Sequence, residues 1–392
     1  MDKLKRLGVA MLALAVASAL WLPCIHFFFR PRLADYWRAD GIPPKARVLA
    51  ARHIELWTNP ALRDAELSRM RASNAEWDFM GRTFLVLALA NMSLREPSSQ
   101  SAYLETMDRI IDETLRLEKE KGVHHFLMNY SRNAAFEKSG TRSLFEDGEI
   151  ALMLGARRLV AEKAEYKPLL RERVEAMQQY MRRSPVLSGE SYPDECWTFC
   201  NTIALAAMRL GDALGDTDTA AFRREWIETA RRKLVHPGTG LLVSSYNIKG
   251  DWCDGPEGSS IWMVAHCLQV LDRDFACDQY TRAKHELARS IAGFGYACEW
   301  PRAWRGNPDI DSGPIVPLLD ASAGSSGLAI LGAASFGDAV YLRALLTTLD
   351  FAGFPVEHNG ARRYAASNQV GDAVLLYALV QGPLWAKAEA AK

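Results

Sequence analysis

Apolar and amphipathic helical segments alternate along most of this chain. The stretch "EWDFMGRTFLVLALANMSL" is apolar on all sides, whereas "SAYLETMDRIIDETLRLEKEK" after it has apolar residues at three- and four-residue steps. The alternation continues to "SNQVGDAVLLYALVQG" with a period of about fifty residues. Helices that are apolar all round belong inside a fold, and amphipathic helices coat them. The pattern therefore predicts two layers of helices.

About six such pairs follow one another, which is enough to close a ring. We predict an all-α fold, an (α/α)6 toroid, over residues 76–392, preceded by a linker and first helix over residues 33–75. The alternative is an open α-solenoid, which needs polar capping helices at both ends. Long loops rich in Trp, Tyr, Pro, Asp and Glu favour the toroid.

Three long loops join an amphipathic helix to the next apolar helix, at residues 182–195, 236–258 and 296–319. All three enter the apolar helix from the same end, so in a closed ring they converge on one mouth. Loops on a rigid scaffold are the usual location of binding and catalytic residues. Trp and Tyr at this density disfavour disorder. We therefore expect a functional site at the mouth.

Residues 1–32 have the composition of a membrane-spanning helix. A short basic start, "MDKLKR", precedes the nearly uncharged stretch Leu7–Phe29. As a helix, that stretch would be roughly 35 Å long, enough to cross a hydrocarbon core of about 30 Å. The alternative is a secretory signal cleaved after the small residues 17–19. The length of the stretch favours a retained single-pass anchor. Basic residues flank both of its ends, so the side of the membrane stays open, with the basic start favouring an amino end on the inner side.

Composition and motifs exclude several classes of function. Lys plus Arg and Asp plus Glu each number 47, and this neutral balance removes the electrostatic case for nucleic-acid binding. The seven cysteines form no pair of CxxC motifs, and His124, His125 and His266 lack a second ligand at metal spacing. The sequence shows neither a Gly-rich phosphate loop nor a GxSxG elbow. We expect neither a metal nor a cofactor.

Acidic residues stand at the starts of several apolar helices. Glu149 leads "GEIALMLG", Asp194 and Glu195 precede "CWTFCNTIAL", and Glu257 ends the second loop with Asp254 close by. A carboxyl group that faces the ring axis loses hydration, so its pKa rises and it can act as a general acid or base. The alternative is an ordinary helix cap or a partner of the helix dipole.

The stretch "SYPDECWTFCN" also concentrates thiol groups. Cys196 and Cys200 are four residues apart, which predicts one helical face near a helix start, where a thiolate is favoured. The alternative is two small buried hydrophobic residues. Asn201, next to Cys200, suits a donor or acceptor in a lined cavity. Further candidates for substrate binding in this and the later loops are Trp197, Tyr246, Trp262 and Asp311.

Four stretches resemble the linalool dehydratase/isomerase family: "GEIALMLGARRLV", "YPDECWTFCNTIAL", "LLVSSYNIKGDWCDGPEGSSIWM" and "ASAGSSGLAILGA". The resemblance runs from Glu55 to Asp350. It implies an (α/α)6 toroid that forms cyclic oligomers and acts on small isoprenoid alcohols without a cofactor. It also implies a pocket that includes groups from a neighbouring subunit.

The resemblance implies site residues position by position. Asp194 matches the acid of the family's "PD", and the pair Cys200–Asn201 matches its second cysteine and the Asn that follows. Ser191 stands where the family has its first cysteine, and Glu149 stands where the family has its catalytic histidine. Glu55 matches an upstream acid of the family. Two central groups are therefore replaced, which shifts the expected chemistry toward carboxylates.

The leading hypothesis is a membrane-anchored enzyme that adds, removes or relocates a hydroxyl or double bond on a hydrophobic isoprenoid- or sterol-like substrate. Glu149 would be the general acid or base, while Asp194, Glu195 and Cys200 would orient the hydroxyl. Glu257 would be a further carboxylate at the site, as would Asp311. The expected partners are the hydrophobic substrate, the membrane and further copies of the chain in a cyclic homo-oligomer.

Two alternatives stay open at this stage. One is a carbohydrate-active toroid of the glycoside hydrolase or lyase type, with Trp252, Trp300 and Trp304 as stacking platforms. A polar cavity with stacked indoles would favour it, whereas an apolar cavity would favour the leading hypothesis. The other is a non-catalytic binding scaffold, whose inner acids would be solvated or paired with Arg and would show no raised pKa.

Overall fold

A computed structural model of the chain describes residues 2–302, 304, 306, 310 and 312–391. Within these residues, six largely buried helices form an inner layer: Ala75–Arg95, Leu144–Val160, Thr198–Ala213, Gly258–Leu268, Ala323–Ser335 and Gln369–Val380. We call them the first to sixth inner helices. Each packs against the next, and the sixth packs against the first. The ring is therefore closed, which confirms the predicted toroid and excludes the open solenoid.

Amphipathic helices form the outer layer: Pro44–Thr58, Gln100–Lys121, Tyr166–Met181, Ala220–Lys233, Arg273–Leu287 and Ala339–Ala352. Each of the last five follows an inner helix and packs against it. Pro44–Thr58 instead packs against the sixth inner helix, so residues from the segment 33–75 complete the outer layer. A further helix, Pro60–Ser73, lies against the first inner helix.

Short antiparallel strands surround the mouth of the ring. Cys196–Trp197, Ser245–Tyr246 and Trp252–Asp254 form a small sheet in that order, which ties the first long loop to the second. The described hairpins pair Ala288–Ile291 with Phe294–Ala297, Ile315–Val316 with Ala321–Ser322, and Pro355–His358 with Ala361–Tyr364. The prediction that Cys196 and Cys200 share a helical face is wrong, because Cys196 lies in a strand and the helix begins at Thr198.

The C-terminal helix Pro383–Ala390 closes the end of the ring opposite the mouth. It packs against the first, second and third inner helices. The Leu384 N–H donates to Asn91 Oδ1 over 3.0 Å, and the Trp385 ring stacks on His266 with the centroids 5.4 Å apart. Asn91 and His266 lie near the carboxyl ends of their helices, so Pro383–Ala390 forms the floor of the toroid.

The N-terminal segment contains the helix Asp2–Trp21 and the short helices His26–Phe29 and Leu33–Tyr36. Its apolar part has a mean hydropathy of 2.1 and none of it is buried in the fold. It is long and apolar enough to cross a membrane, a property that an N-terminal signal sequence also has. His26–Phe29 packs against the outer helix Ala339–Ala352.

Candidate active site

A cavity of about 1060 Å³ opens at the mouth of the ring. Glu195 from the first long loop, Asp254 from the second and Tyr296 from the third all line it, which confirms that the three loops converge. Most of its surface is apolar. Apolar side chains in the lining include Trp77, Met80, Phe145, Phe199, Leu328 and Leu375. The cavity therefore suits a hydrophobic ligand with few polar groups.

Glu257 is the predicted acid that the structure places best for proton transfer. It lines the cavity directly before the fourth inner helix, yet its side chain is buried. Burial raises its pKa well above the usual range, and the nearby charges of Glu299 and Asp254 raise it further. The shift favours the protonated form of Glu257, so this acid is suited to donating a proton into the cavity.

The backbone around Glu257 fixes where its carboxyl group points. The Glu257 N–H donates to Ser244 Oγ over 2.7 Å, and the Ser260 hydroxyl donates to Glu257 Oε2 over 3.4 Å. Behind it, the buried carboxylate of Glu299 accepts from the N–H and the hydroxyl of Ser259. Two buried acids thus lie at one helix start, where the dipole favours negative charge but dehydration opposes it.

Cys200 lines the cavity in the first turn of the third inner helix. Burial raises the pKa of its thiol well above the usual value, a hydrogen bond with Ser191 opposes the shift, and the charges of Glu76 and Glu195 reinforce it. A neutral thiol is a weak donor and a poor nucleophile. Cys200 therefore fits a role in packing against the ligand or orienting it.

Glu149 lies at the ring axis but does not line the cavity. It is in the second turn of the second inner helix, and it is 1% exposed. Burial raises its pKa to about 8. Neither oxygen makes a hydrogen bond of good geometry with a described residue, although Thr83 lies near enough to lower the pKa in part. If Glu149 were ionised, its charge would raise the pKa of the thiols of Cys200 and Cys267. Glu149 is thus a protonated group behind the cavity lining.

Sequence reasoning missed a carboxyl–phenol pair at the mouth. The Tyr192 hydroxyl donates a short hydrogen bond to Glu76 and accepts from the Met128 N–H, and the Tyr130 ring stacks on Tyr192. Glu76, Tyr130 and Tyr192 all line the cavity. Glu76 lies in the first turn of the first inner helix, so the rule that selected Glu149 and Glu257 would also have found it.

Asp372 is a second missed acid. It lies in the first turn of the sixth inner helix and lines the cavity. Burial raises its pKa to about 7, while hydrogen bonds from the Tyr364 N–H and the Ser367 side chain oppose the shift. The start of "QVGDAVLL" carries the same signal as the other acidic helix starts.

Several predicted site residues hold the mouth together and do not line the cavity. The Asn201 amide accepts from the Gly189 N–H and donates to the Gly189 and Trp197 carbonyls. The Tyr246 hydroxyl lies 2.8 Å from Ser188 Oγ. Ser191 is buried, and its carbonyl accepts from the Ser143 hydroxyl. These contacts fix the first loop over the third inner helix.

Four other predicted residues also lie away from the cavity lining. Asp194 is exposed and accepts from the Ile248 N–H at 3.2 Å. Cys196 is buried in the small sheet, and burial raises the pKa of its thiol. Trp262 donates to Ser325 Oγ inside the helical layers. Glu55 is exposed on an outer helix beside Arg52, 3.7 Å away.

Trp197 and Asp254 do line the cavity. The buried Trp197 Nε1 has no hydrogen-bond partner among the described residues, so a ligand hydroxyl could accept from it. Asp254 Oδ1 accepts from the Trp304 indole at 3.2 Å. Asp311 lies outside the described residues. Within the described part of the chain, no cluster of three or more His, Cys, Asp or Glu could hold a metal ion.

Comparison with known proteins agrees with this geometry. The family profile described as "Linalool dehydratase/isomerase" matches residues 144–370. The chain belongs to the linalool dehydratase/isomerase family. The match contains all three long loops of the mouth, together with Cys200 and Glu257. The family is named for dehydratase/isomerase enzymes, so family membership indicates an enzyme of this general class.

A solved structure shows the same architecture. The chain is similar to the GH76 α-mannanase of Bacteroides thetaiotaomicron, with a TM-score of 0.50 and 12% sequence identity. The similarity covers 78% of this chain and 86% of the mannanase. Identity this low carries the fold alone.

Proposed function

We propose that this protein is a cofactor-free hydro-lyase or isomerase that acts on a hydrophobic isoprenoid- or sterol-like alcohol or alkene. One observation carries the proposal: a buried carboxylic acid with a raised pKa, Glu257, lines a large and mainly apolar cavity. An apolar lining binds the hydrocarbon part of such a substrate, and a neutral acid can protonate a hydroxyl that water cannot reach.

In the dehydration direction, the Glu257 O–H donates its proton to the substrate hydroxyl, and the C–O bond breaks to release water. Glu195 removes a proton from the adjacent carbon, so that the electron pair of the C–H bond forms the double bond. Glu195 lies close enough to raise the pKa of Glu257 and of Cys200 by its charge. Hydration is the reverse of these steps. Isomerisation is dehydration followed by hydration at a different carbon.

The cavity lining distinguishes this proposal from the alternatives. Trp252, Trp300 and Trp304, the suggested carbohydrate platforms, are not among the described residues that line the cavity. Glu257 is buried and takes part in none of the ion pairs found among the described residues, whereas a binding scaffold would pair or solvate it. A retained membrane anchor at the N-terminal helix and a cyclic homo-oligomer belong to the same proposal.

The test is solvent-oxygen exchange by the purified full chain. Isoprenoid alcohols and alkenes of increasing length are incubated in H₂¹⁸O, and ¹⁸O in the alcohol is measured by gas chromatography and mass spectrometry. We expect exchange with the wild type and a loss of about 10²–10⁴-fold with Glu257→Gln, the usual contribution of a general acid. Glu137→Gln, which changes an exposed glutamate, is the matched control.

Two results would refute the proposal. Wild-type exchange rates with Glu257→Gln would remove Glu257 from the chemistry. Absence of exchange and of elimination across the alcohol series, with folded protein, would remove the hydro-lyase assignment itself.

A further inference from the structure

An exposed apolar hairpin stands at the rim of the cavity. Ile315–Val316 and Ala321–Ser322 form its strands, and the side chain of Leu318 at its turn is 101% exposed. Its neighbours Val316 and Leu319 are 49% and 42% exposed, and Val316 also lines the cavity. A single exposed Leu is ordinary, but a contiguous apolar group at a cavity rim marks an interaction surface.

A second apolar group lies where the N-terminal segment meets the fold. The Phe29 ring packs edge-to-face on Phe351, and Phe351 packs on Phe294, each with a centroid distance of 5.0 Å. Exposed side chains around this contact are Ile291, Phe351, Phe354 and Val356. Gly295 and Ala352, which follow Phe294 and Phe351 in the chain, line the cavity. The N-terminal segment therefore docks beside the cavity wall.

The two apolar groups belong to one face of the molecule. The strand Phe294–Ala297 leads into Cys298, which pairs with Ala321 of the apolar hairpin. The strands of the two hairpins are thus neighbours, and the outer helix Ala339–Ala352, which packs against Phe294–Ala297, also contributes to the cavity lining. We call this surface the rim face and define it by Ile291, Val316, Leu318, Leu319, Phe351 and Phe354.

The apolar N-terminal helix points to a lipid bilayer as the occupant of this face. None of that helix is buried in the fold, and Phe27 and Phe28 at its base are exposed, so apolar surface continues from the helix to the rim face. Arg30 follows directly, where a bilayer presents its headgroups. Within residues 315–322, all of which are described, Asp320 is the only charged side chain.

We propose that the rim face is a membrane-docking surface that seats the cavity mouth at the boundary of the hydrocarbon core. Leu318 and Leu319 insert there beside the N-terminal span, and a lipid-soluble ligand enters the cavity from the bilayer and not from water. This inference rests on the membrane anchoring in the proposed function but not on its acid–base chemistry. An enzyme with no hydro-lyase activity would still dock in this way.

The test is residue-resolved protection from a membrane-impermeant maleimide. Full-length Leu318→Cys and Val340→Cys are placed, one copy per disc, in nanodiscs of phosphatidylcholine and phosphatidylglycerol. Val340 is the matched control, because it is 82% exposed but lies at the far end of the helix that reaches Phe351. Peptide mass spectrometry follows each cysteine separately, with the exposed native Cys277 and the span residue Cys24 as internal references.

We expect Leu318→Cys to react at least about tenfold more slowly than Val340→Cys, because interfacial insertion buries a side chain about 5–10 Å into the headgroup boundary. Equal rates at the two positions, with Cys24 protected, would overturn the docking face while leaving the anchor in place. A reactive Cys24 would show that the N-terminal helix is outside the bilayer, which would overturn the inference together with the anchoring.

A second copy of the chain is the competing occupant. If Leu318→Cys is exposed with one copy per disc but protected when several copies share a disc, the rim face is a contact between subunits. That result would also overturn the proposal.

Discussion

At the scale of single residues, the environment of each acid decides whether it can carry a proton. Asp147 and Glu149 are two residues apart on the second inner helix. Asp147 accepts from Arg142 and Arg173, so its charge is compensated. Glu149 faces the ring axis near the thiols, where no cation from the described part of the chain compensates it, and its raised pKa favours the protonated form. Such an acid reduces stability wherever the unfolded chain would ionise.

The free energy of unfolding should therefore fall as pH rises through the range in which only the unfolded chain ionises Glu149. That range runs from its ordinary pKa of 4.5 to about 8 in the fold. The folded state binds more protons there, so stability decreases with pH, by about 5 kcal/mol in all at roughly 1.4 kcal/mol per pKa unit.

Glu149→Gln removes this dependence. In urea titrations of the detergent-solubilised protein at pH 5 and pH 8, we expect the variant to lose less stability than the wild type between the two values. Parallel losses in both proteins would contradict the burial of an uncompensated acid.

At the scale of elements, the close approach of two inner helices positions Glu257. Gly258 begins the fourth inner helix, and its N–H donates to the Glu299 carbonyl at 2.7 Å. A Cβ at Gly258 would lie 2.1 Å from Ser325 Oγ and 2.4 Å from the Cys298 carbonyl oxygen. The backbone carbonyl cannot move easily, so the spacing of the helices depends on the absence of a side chain here.

Gly258→Ala should lower the free energy of unfolding by about 1–3 kcal/mol, the usual cost of overpacking. It should also reduce activity, because Glu257 precedes the displaced residue. Gly327→Ala on the fifth inner helix is the control, since no atom of the residues that the structure describes lies within 4 Å of its added Cβ. That variant should keep or slightly raise stability. A Gly258→Ala protein as stable as the control would contradict the tight approach.

The helical elements could be predicted from the sequence, but the strands at the mouth could not. The inner helices show long apolar runs, which hydrophobic periodicity detects well. The strand Cys196–Trp197 has two residues and is defined only by pairing with Ser245–Tyr246, far away in the chain. Local spacing therefore placed Cys196 on the helix of Cys200. Acidic helix starts were recognised as a class, yet which of them reach the cavity depends on loop packing that no local pattern encodes.

At the scale of the whole molecule, ring closure makes every inner helix depend on two neighbours. The sixth inner helix packs against the first, and the C-terminal helix Pro383–Ala390 packs against the first, second and third. A closed ring of this kind should unfold as one cooperative unit, whereas an open solenoid can unravel from its ends.

Trp385→Ala tests this dependence. Trp385 is buried, stacks on His266 and donates to its carbonyl at 3.3 Å. We expect a loss of about 3–5 kcal/mol, typical of truncating a large buried aromatic residue, with a single transition by both circular dichroism and tryptophan fluorescence. Trp252→Ala, at a 40% exposed indole, should cost about 1 kcal/mol or less. Separate transitions for the two signals would contradict a cooperative ring.

The C-terminal floor also bears on how turnover would proceed. Because Pro383–Ala390 closes that end of the ring, the substrate would enter and the product would leave through the same mouth. Each product molecule would have to leave before the next substrate could bind, and accumulated product would compete with the substrate for the cavity. Release of the product through the mouth would then be an obligatory step of every turnover, and a product that binds the apolar lining tightly would slow that step.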